Sequence, residues 1–343
     1  MIAKAFIAGS AGPRLLPDER RFFADERPFG FILFRRNCRE PSEVEDLVAA
    51  FRDAAGSHAP VLIDQEGGRV ARLQPPHWPL FPPARRYGEL AEKDEEVGVR
   101  AAWLGARLIA DQLVPLGIDV DCYPLLDVPS PDGHDIIGDR AYGTSPDLVS
   151  LLARAACEGL LAGGVLPIVK HIPGHGRAGA DSHKELPVVS VDADRLAKTD
   201  FLPFQKLADM PIAMTAHVVY SAIDASAPAS TSPRVVEEVI RGLIGFDGLL
   251  VSDDLGMSAL SGSFSRRAGE TLDAGADIAL HCSGDFGEMR EVASAVPELT
   301  GRTKERATAA LARRQTPQAL DREAAWREFE ELMNGVGWPP RQV

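Results

Sequence analysis

The sequence predicts a single-domain α/β protein, a (β/α)8 TIM barrel with a helical extension at its C-terminus. Two regularities lead there. Short apolar runs alternate with longer amphipathic segments along most of the chain, and nearly every apolar run turns polar or charged at its end. Parallel strands all point one way, so those polar ends would gather at one rim, where barrels of this kind carry their functional groups. A length of 343 residues is compatible with one barrel, since such barrels commonly run past about 250 residues.

In chain order the strand candidates are "AKAFIAG" (3–9), "FGFILF" (29–34), "PVLIDQE" (60–66), "IDVDCYPLLDV" (118–128), "LPIVKHI" (166–172), "PIAMTAH" (211–217), "GLLVSDD" (248–254) and "DIALHC" (277–282). They are short, rich in apolar residues and bounded by turn residues, as strands buried on both faces should be. The helical candidates between them are "SEVEDLVAAFRDAAG", "EEVGVRAAWLGARLIADQL", "SPDLVSLLARAACEGLLAGG", "SPRVVEEVIRGLIG" and "RRAGETLDAGA". Their apolar residues recur every three or four positions, and several begin with Ser or Asp and end near Gly. Beyond residue 300 the pattern is helical and polar, in "TKERATAALARRQ" and "DREAAWREFEELMNG". A catalytic barrel over 1–300 and C-terminal helices packed on it over 301–343 are therefore expected.

A net charge of −13 without clustered Lys and Arg argues against a nucleic-acid partner. The opening "MIAKAFIAGSAGPRLL" lacks the long apolar segment and cleavage site of a secretory signal, and no apolar run approaches the ~20 residues of a membrane span. Cys38, Cys122, Cys157 and Cys282 are far apart and form no CxxC pair, so neither a disulfide framework nor a zinc knuckle is indicated. A cytoplasmic monomer without a cofactor is the expectation.

The densest stretch of chemistry is "KHIPGHGRAGADSHKELP", 170–187. His171 and His175 stand four apart, but Pro173 and Gly174 exclude the helix on which such a pair converges on zinc. A loop could still gather His171, His175 and His183, so a metal-dependent hydrolase stays open as an alternative. A phosphate cradle is weaker, because no Lys-Ser/Thr pair follows the glycines. In "DSH", Asp181 two residues before His183 can hold one imidazole tautomer, and a histidine titrating near pH ~6.5 can give and take a proton. Asp253 and Asp254 end the seventh strand, and alternation lets only one share the side of Val251. The pair should divide into one functional and one structural carboxylate. An Asp facing a protonated His is an arrangement for attack on an acetal with acid assistance. Asp64, Arg72, Arg140 and Lys170 add the acceptors and fixed donors that sugar hydroxyls require.

Together "ILFRRN", "LIDQEGGRVARL", "YPLLDV", "IGDRAYG", "KHIPGHGRAGADSHKELP", "MTAHVVY" and "LVSDDLGM" resemble, in order, the motifs of family 3 glycoside hydrolases of the bacterial β-N-acetylhexosaminidase type, enzymes of peptidoglycan recycling. The resemblance spans about residues 5–285. It implies a metal-free, retaining, two-step reaction that removes a terminal GlcNAc from 1,6-anhydro-MurNAc muropeptides. By the same resemblance Asp253 would be the nucleophile, His183 the general acid/base, and Asp181 its partner. Asp64, Arg72, Arg140, Lys170 and His171 would bind substrate. The sequence departs from the pattern at Ile172, where Phe is common, and at the extra basic residue in "FRRN". Gly174, Gly176 and Gly179 are expected to free the loop carrying His183 for movement. A phosphorolytic variant is a further alternative, because histidine repels an anionic acceptor less than a carboxylate does.

Overall fold

Parallel strands that are buried on both faces must close on themselves or be covered, and this chain closes them. The computed structural model describes residues 3–341 apart from 57, 132 and 183. The barrel strands are Lys4–Ala8, Pro28–Leu33, Val61–Ile63, Val120–Asp121, Leu166–Ile172, Ile212–Thr215, Leu249–Asp254 and Ile278–His281, with the eighth paired to the first. All neighbouring pairs are parallel. Each strand overlaps one of the eight stretches expected from the sequence. The fourth is much shorter than the 118–128 reading: Pro124 has no N–H to give, and the segment runs on beside the fifth strand through separate contacts, such as Leu126 N–H to the Lys170 carbonyl at 2.7 Å.

Helices cover the outside. Glu95–Leu113 and Pro146–Ala162 start on the side-chain caps of Asp94 and Ser145, as their sequences suggest. They pack tightly because Gly159 lies against the Trp103 carbonyl, where no side chain would fit. The segment "SPRVVEEVIRGLIG" forms a helix of π type, Val235–Leu243, with Val235, Val236, Val239 and Ile240 buried. Pro17–Glu26 was not anticipated, since only two Phe residues interrupt its charges. Its start is fixed by Glu19, whose carboxylate accepts the N–H groups of Ala11 (2.9 Å) and Leu16 (2.7 Å). Among the described residues no helix is long and apolar enough to cross a membrane.

The chain ends in the helices Gly301–Ala312 and Arg322–Asn334. Trp326 and Phe329 of the latter pack on Phe81, with ring centroids 5.3 and 6.0 Å away. The former meets the barrel at the end opposite the polar rim, through Asp277. That buried carboxylate accepts Leu250 N–H (2.9 Å) and the Arg241 guanidinium (2.8 Å) on one oxygen, and Thr303 (3.1 Å) and Arg306 (3.3 Å) on the other. Asp119 has the same task at the base of the fourth strand, accepting Val61 N–H at 2.7 Å and pairing with Arg52 and Arg314.

Removing a buried partner strands the charges and donors it satisfied. Asp277→Ala is therefore expected to cost roughly 3 kcal/mol of stability, read as a lower denaturation midpoint; a loss well below ~1 kcal/mol would contradict this role.

Candidate active site

The polar strand ends do meet at one rim, around a cavity of about 360 Å³. The third strand delivers Asp64 and, one residue into a short hairpin (Gln65–Gly67 with Val70–Ala71), Glu66; the hairpin's return brings Arg72 back over Asp64. Arg140 arrives from the turn Gly138–Arg140, and Lys170 from the fifth strand. These five form one chain of contacts: Arg72 donates to Asp64 (2.9 Å), Lys170 donates to Asp64 (2.9 Å) and contacts Glu66 (2.7 Å), and Arg140 donates to both oxygens of Glu66 (2.8 Å each). Burial favours the neutral acids, but Lys170 and Arg72 hold Asp64 well below the usual carboxylate range. Arg140 and Lys170 likewise lower Glu66 against its burial. Burial would lower Lys170, yet Asp64 and Glu66 raise it, so all five groups stay charged.

Strict alternation would put Lys170 and His171 on opposite faces, yet both line the cavity. The register of the fifth strand against the sixth slips between Lys170 and Ile172, and the Lys170–His171 peptide is cis. Behind His171 lies Asp127, fully buried. One of its oxygens takes the His171 Nδ1–H at 2.7 Å; the other accepts the backbone N–H of His175 at 2.6 Å and of His171 at 3.3 Å. Despite its burial, the neighbouring His171 lowers Asp127 to about 2.

Asp253 closes the seventh strand on the cavity floor. Its Oδ1 accepts Asp254 N–H at 2.8 Å, and Oδ2 takes no hydrogen bond among the described residues. Burial would raise it, but His171 and then His217 outweigh that, and the carboxyl is lowered. His217 is itself buried, with its pKa lowered by that burial. Its Nε2 faces the Asp254 carbonyl (3.0 Å), which can only accept, so Nε2 carries the proton and Nδ1 accepts from Ser230 (2.6 Å). Asp254 instead braces backbone, accepting N–H groups of Gly256 (2.9 Å) and Cys282 (3.0 Å). Both aspartates line the cavity, but their hydrogen bonds differ: Asp254 Oδ1 holds two backbone N–H groups, those of Gly256 and Cys282, whereas Asp253 Oδ1 accepts only its neighbour's among the described residues.

The sequence signalled Asp64, Arg72, Arg140, Lys170, His171 and Asp253, and all six line this one cavity. It did not single out Glu66, Asp127 or His217, although each sits in a strand-end motif. Asp181, on the loop after the fifth strand, is buried and lies 3.8 Å from Lys184. His183 lies outside the described residues. The expected freedom of the loop glycines needs correction. Gly174 adopts φ +140° against the Asp200 carbonyl, and a side chain on Gly176 would run into the Val128 backbone. These two serve close approach, whereas Gly179 alone of the three faces open space. The loop is further held by Arg177 on Asp200 (2.7 Å) and by the Tyr220 hydroxyl donating to the Gly174 carbonyl (2.5 Å). Among the described residues no three His, Cys, Asp or Glu side chains group as a metal site. The alternative metal set also requires His183.

Comparison with known proteins places this geometry in context. The glycosyl hydrolase family 3 N-terminal domain matches residues 17–316. A β-hexosaminidase of Bordetella pertussis is 36% identical over 282 residues, covering 81% of this chain and 80% of that one. NagZ from Neisseria gonorrhoeae, solved in complex with N-trifluoroacetyl-D-glucosamine, superposes with a TM-score of 0.85 at 29% identity over 98% of each chain. A glycoside hydrolase family 3 β-N-acetylglucosaminidase from a Paenibacillus species gives 0.84 at 30% identity over 96% of this chain, which spans 66% of that longer one.

Two outcomes are expected. Gly176→Ala should sharply lower stability or soluble yield, because backbone must move, while Gly179→Ala should stay within about 0.5 kcal/mol of the parent; similar effects at both sites would refute the packing account. His175, buried beside His171, Asp127 and Asp253, is lowered from 6.5 to about 4 by desolvation first and by His171 next. Between those values the unfolded chain binds a proton at residue 175 that the folded chain refuses, so stability falls as pH drops through the window. In His175→Gln the melting temperature should depend less steeply on pH there; an unchanged slope would show that His175 does not titrate as described.

Proposed function

The chain belongs to glycosyl hydrolase family 3, and we propose that it is an exo-acting β-N-acetylglucosaminidase that removes a terminal GlcNAc from GlcNAc-1,6-anhydro-MurNAc muropeptides in peptidoglycan recycling. The observation that carries the reading is Asp253: a carboxylate held ionised on the floor of a small pocket, with one oxygen unoccupied among the described residues and fixed cations and acceptors around it. A cavity of about 360 Å³ is at the small end of ligand pockets and suits one terminal sugar with its substituents rather than a run of several. The β-hexosaminidase and β-N-acetylglucosaminidase names of the relatives support the N-acetylated sugar.

In the reaction we propose, Asp253 attacks the anomeric carbon and the glycosidic bond breaks, its oxygen taking a proton from His183. The covalent glycosyl-enzyme is then opened by water, whose proton returns to the neutral imidazole. Asp181 holds the His183 tautomer. Asp64, Arg72, Arg140, Lys170 and His171 bind the sugar; their mutual contacts hold them in place before substrate arrives, which spares reorganisation during reaction. Four buried, unpaired cysteines among the described residues support a reducing compartment such as the cytoplasm.

Trapping with a fluorinated or slowly turned-over N-acetylglucosaminide and peptide mapping should place the label on Asp253; label elsewhere would overturn the mechanism. Asp253→Ala should lose activity on every substrate. His183→Ala should lose about 10²–10⁴-fold in kcat/KM on poor leaving groups and retain most of it on an activated aryl glycoside. Chelator and added phosphate should leave rate and product unchanged, which separates this reading from the metal-dependent and phosphorolytic alternatives.

A further inference from the structure

His175 lines the cavity without a part in the proposed reaction. Its ring is nearly fully buried, and Nε2 lies 3.2 Å from the Ser182 hydroxyl. Its backbone N–H is held by Asp127, the carboxylate that also orients His171. Ser182 is equally buried, and its carbonyl accepts the N–H of Ala259 at 3.1 Å. Ala259 lies in the loop that follows Asp253 and Asp254. Ser182 is therefore gripped from two sides, by the loop base through His175 and by the loop beyond Asp253 through Ala259.

Ser182 stands between Asp181 and His183 in the chain. We propose that His175 and Ser182 are positioning residues: their hydrogen bond sets where the Asp181–His183 segment stands relative to Asp253. The inference rests on His183 being the acid/base of the proposed reaction. It accounts for a histidine whose Nδ1 has no partner among the described residues. A protonated ring would bring a charge and an unpaired N–H into a dry wall, whereas the neutral ring leaves one nitrogen unsatisfied and keeps the other for Ser182. Proton transfer to the leaving oxygen depends steeply on placement, while attack by Asp253 does not pass through this contact.

The test is a series of aryl N-acetylglucosaminides of graded leaving-group pKa, read as kcat/KM, which reports only the steps up to bond cleavage. Ser182→Ala should lose about tenfold on the poorest leaving group and about twofold or less on the best, a steeper dependence than the parent's. Ser182→Thr should restore the parent slope, and adding His175→Phe to Ser182→Ala should cost little more, because both remove one contact. Equal losses along the series would indicate a merely structural role and overturn the proposal. So would a parent-like slope in Ser182→Ala while His183→Ala shows a steep one. A flat His183→Ala series would overturn the acid/base reading, and this inference with it.

Discussion

A lysine ammonium buried at the rim of the barrel organises the site. Lys170 is 2% exposed, and such a charge persists in a dry wall only where carboxylates compensate it closely. Asp64 and Glu66 do so from the third strand and its hairpin, and each must then be balanced on its far side, by Arg72 and Arg140. The row alternates in sign and carries three cations against two carboxylates. Asp253 and Asp254 also line the cavity, and Asp253 makes no ion pair with any of the three cations. His171 is the foremost influence that lowers it against its burial, and Lys170 adds to this without occupying its outer oxygen.

Asp127 supplies a second anchor of the same kind, and it connects binding to the loop. A single carboxylate orients the His171 ring and fixes the backbone of His175, so the last residues of the fifth strand and the first turn of the loop move as one. Close backbone approach at Gly174 and Gly176 reinforces this: the loop base is clamped to Asp200 and Val128. The binding groups and the base of the loop are thus fixed by the same few buried carboxylate and backbone contacts.

The barrel was legible because burial on both faces forces eight short apolar runs, and the common direction of the strands forces their polar ends together. What escaped depended on partners distant in sequence. Glu66 looks like any hairpin acid until Arg140, from a turn more than seventy residues on, lies against it. Asp127 and His217 gain meaning only from the backbone groups they satisfy. The helix Pro17–Glu26 escaped because its apolar content is two adjacent Phe residues, too few to mark a period. Gly174 and Gly176 were misread for a physical reason: a glycine permits both unusual torsions and close approach, and sequence does not distinguish them. Strand alternation is a strong local rule, yet it did not keep Asp254 off the cavity that Asp253 lines, just as it did not part Lys170 from His171.

In the proposed reaction a histidine takes the place of a second carboxylate, and the charges already on the cavity favour that choice. A carboxylic acid has to be desolvated or set against other negative charge to remain protonated near neutral pH. This cavity already holds Asp64, Glu66 and Asp253, and another carboxylate would work against keeping Asp253 ionised. Imidazole titrates near pH ~6.5 in water, without burial. As the proposed acid/base it can therefore work without a desolvating wall around its proton, provided its position is fixed. A carboxylate acid would need its wall built around the proton. A histidine acid needs only a point of attachment, and in the proposed reaction the contact of Ser182 with His175 and Ala259 would be that attachment.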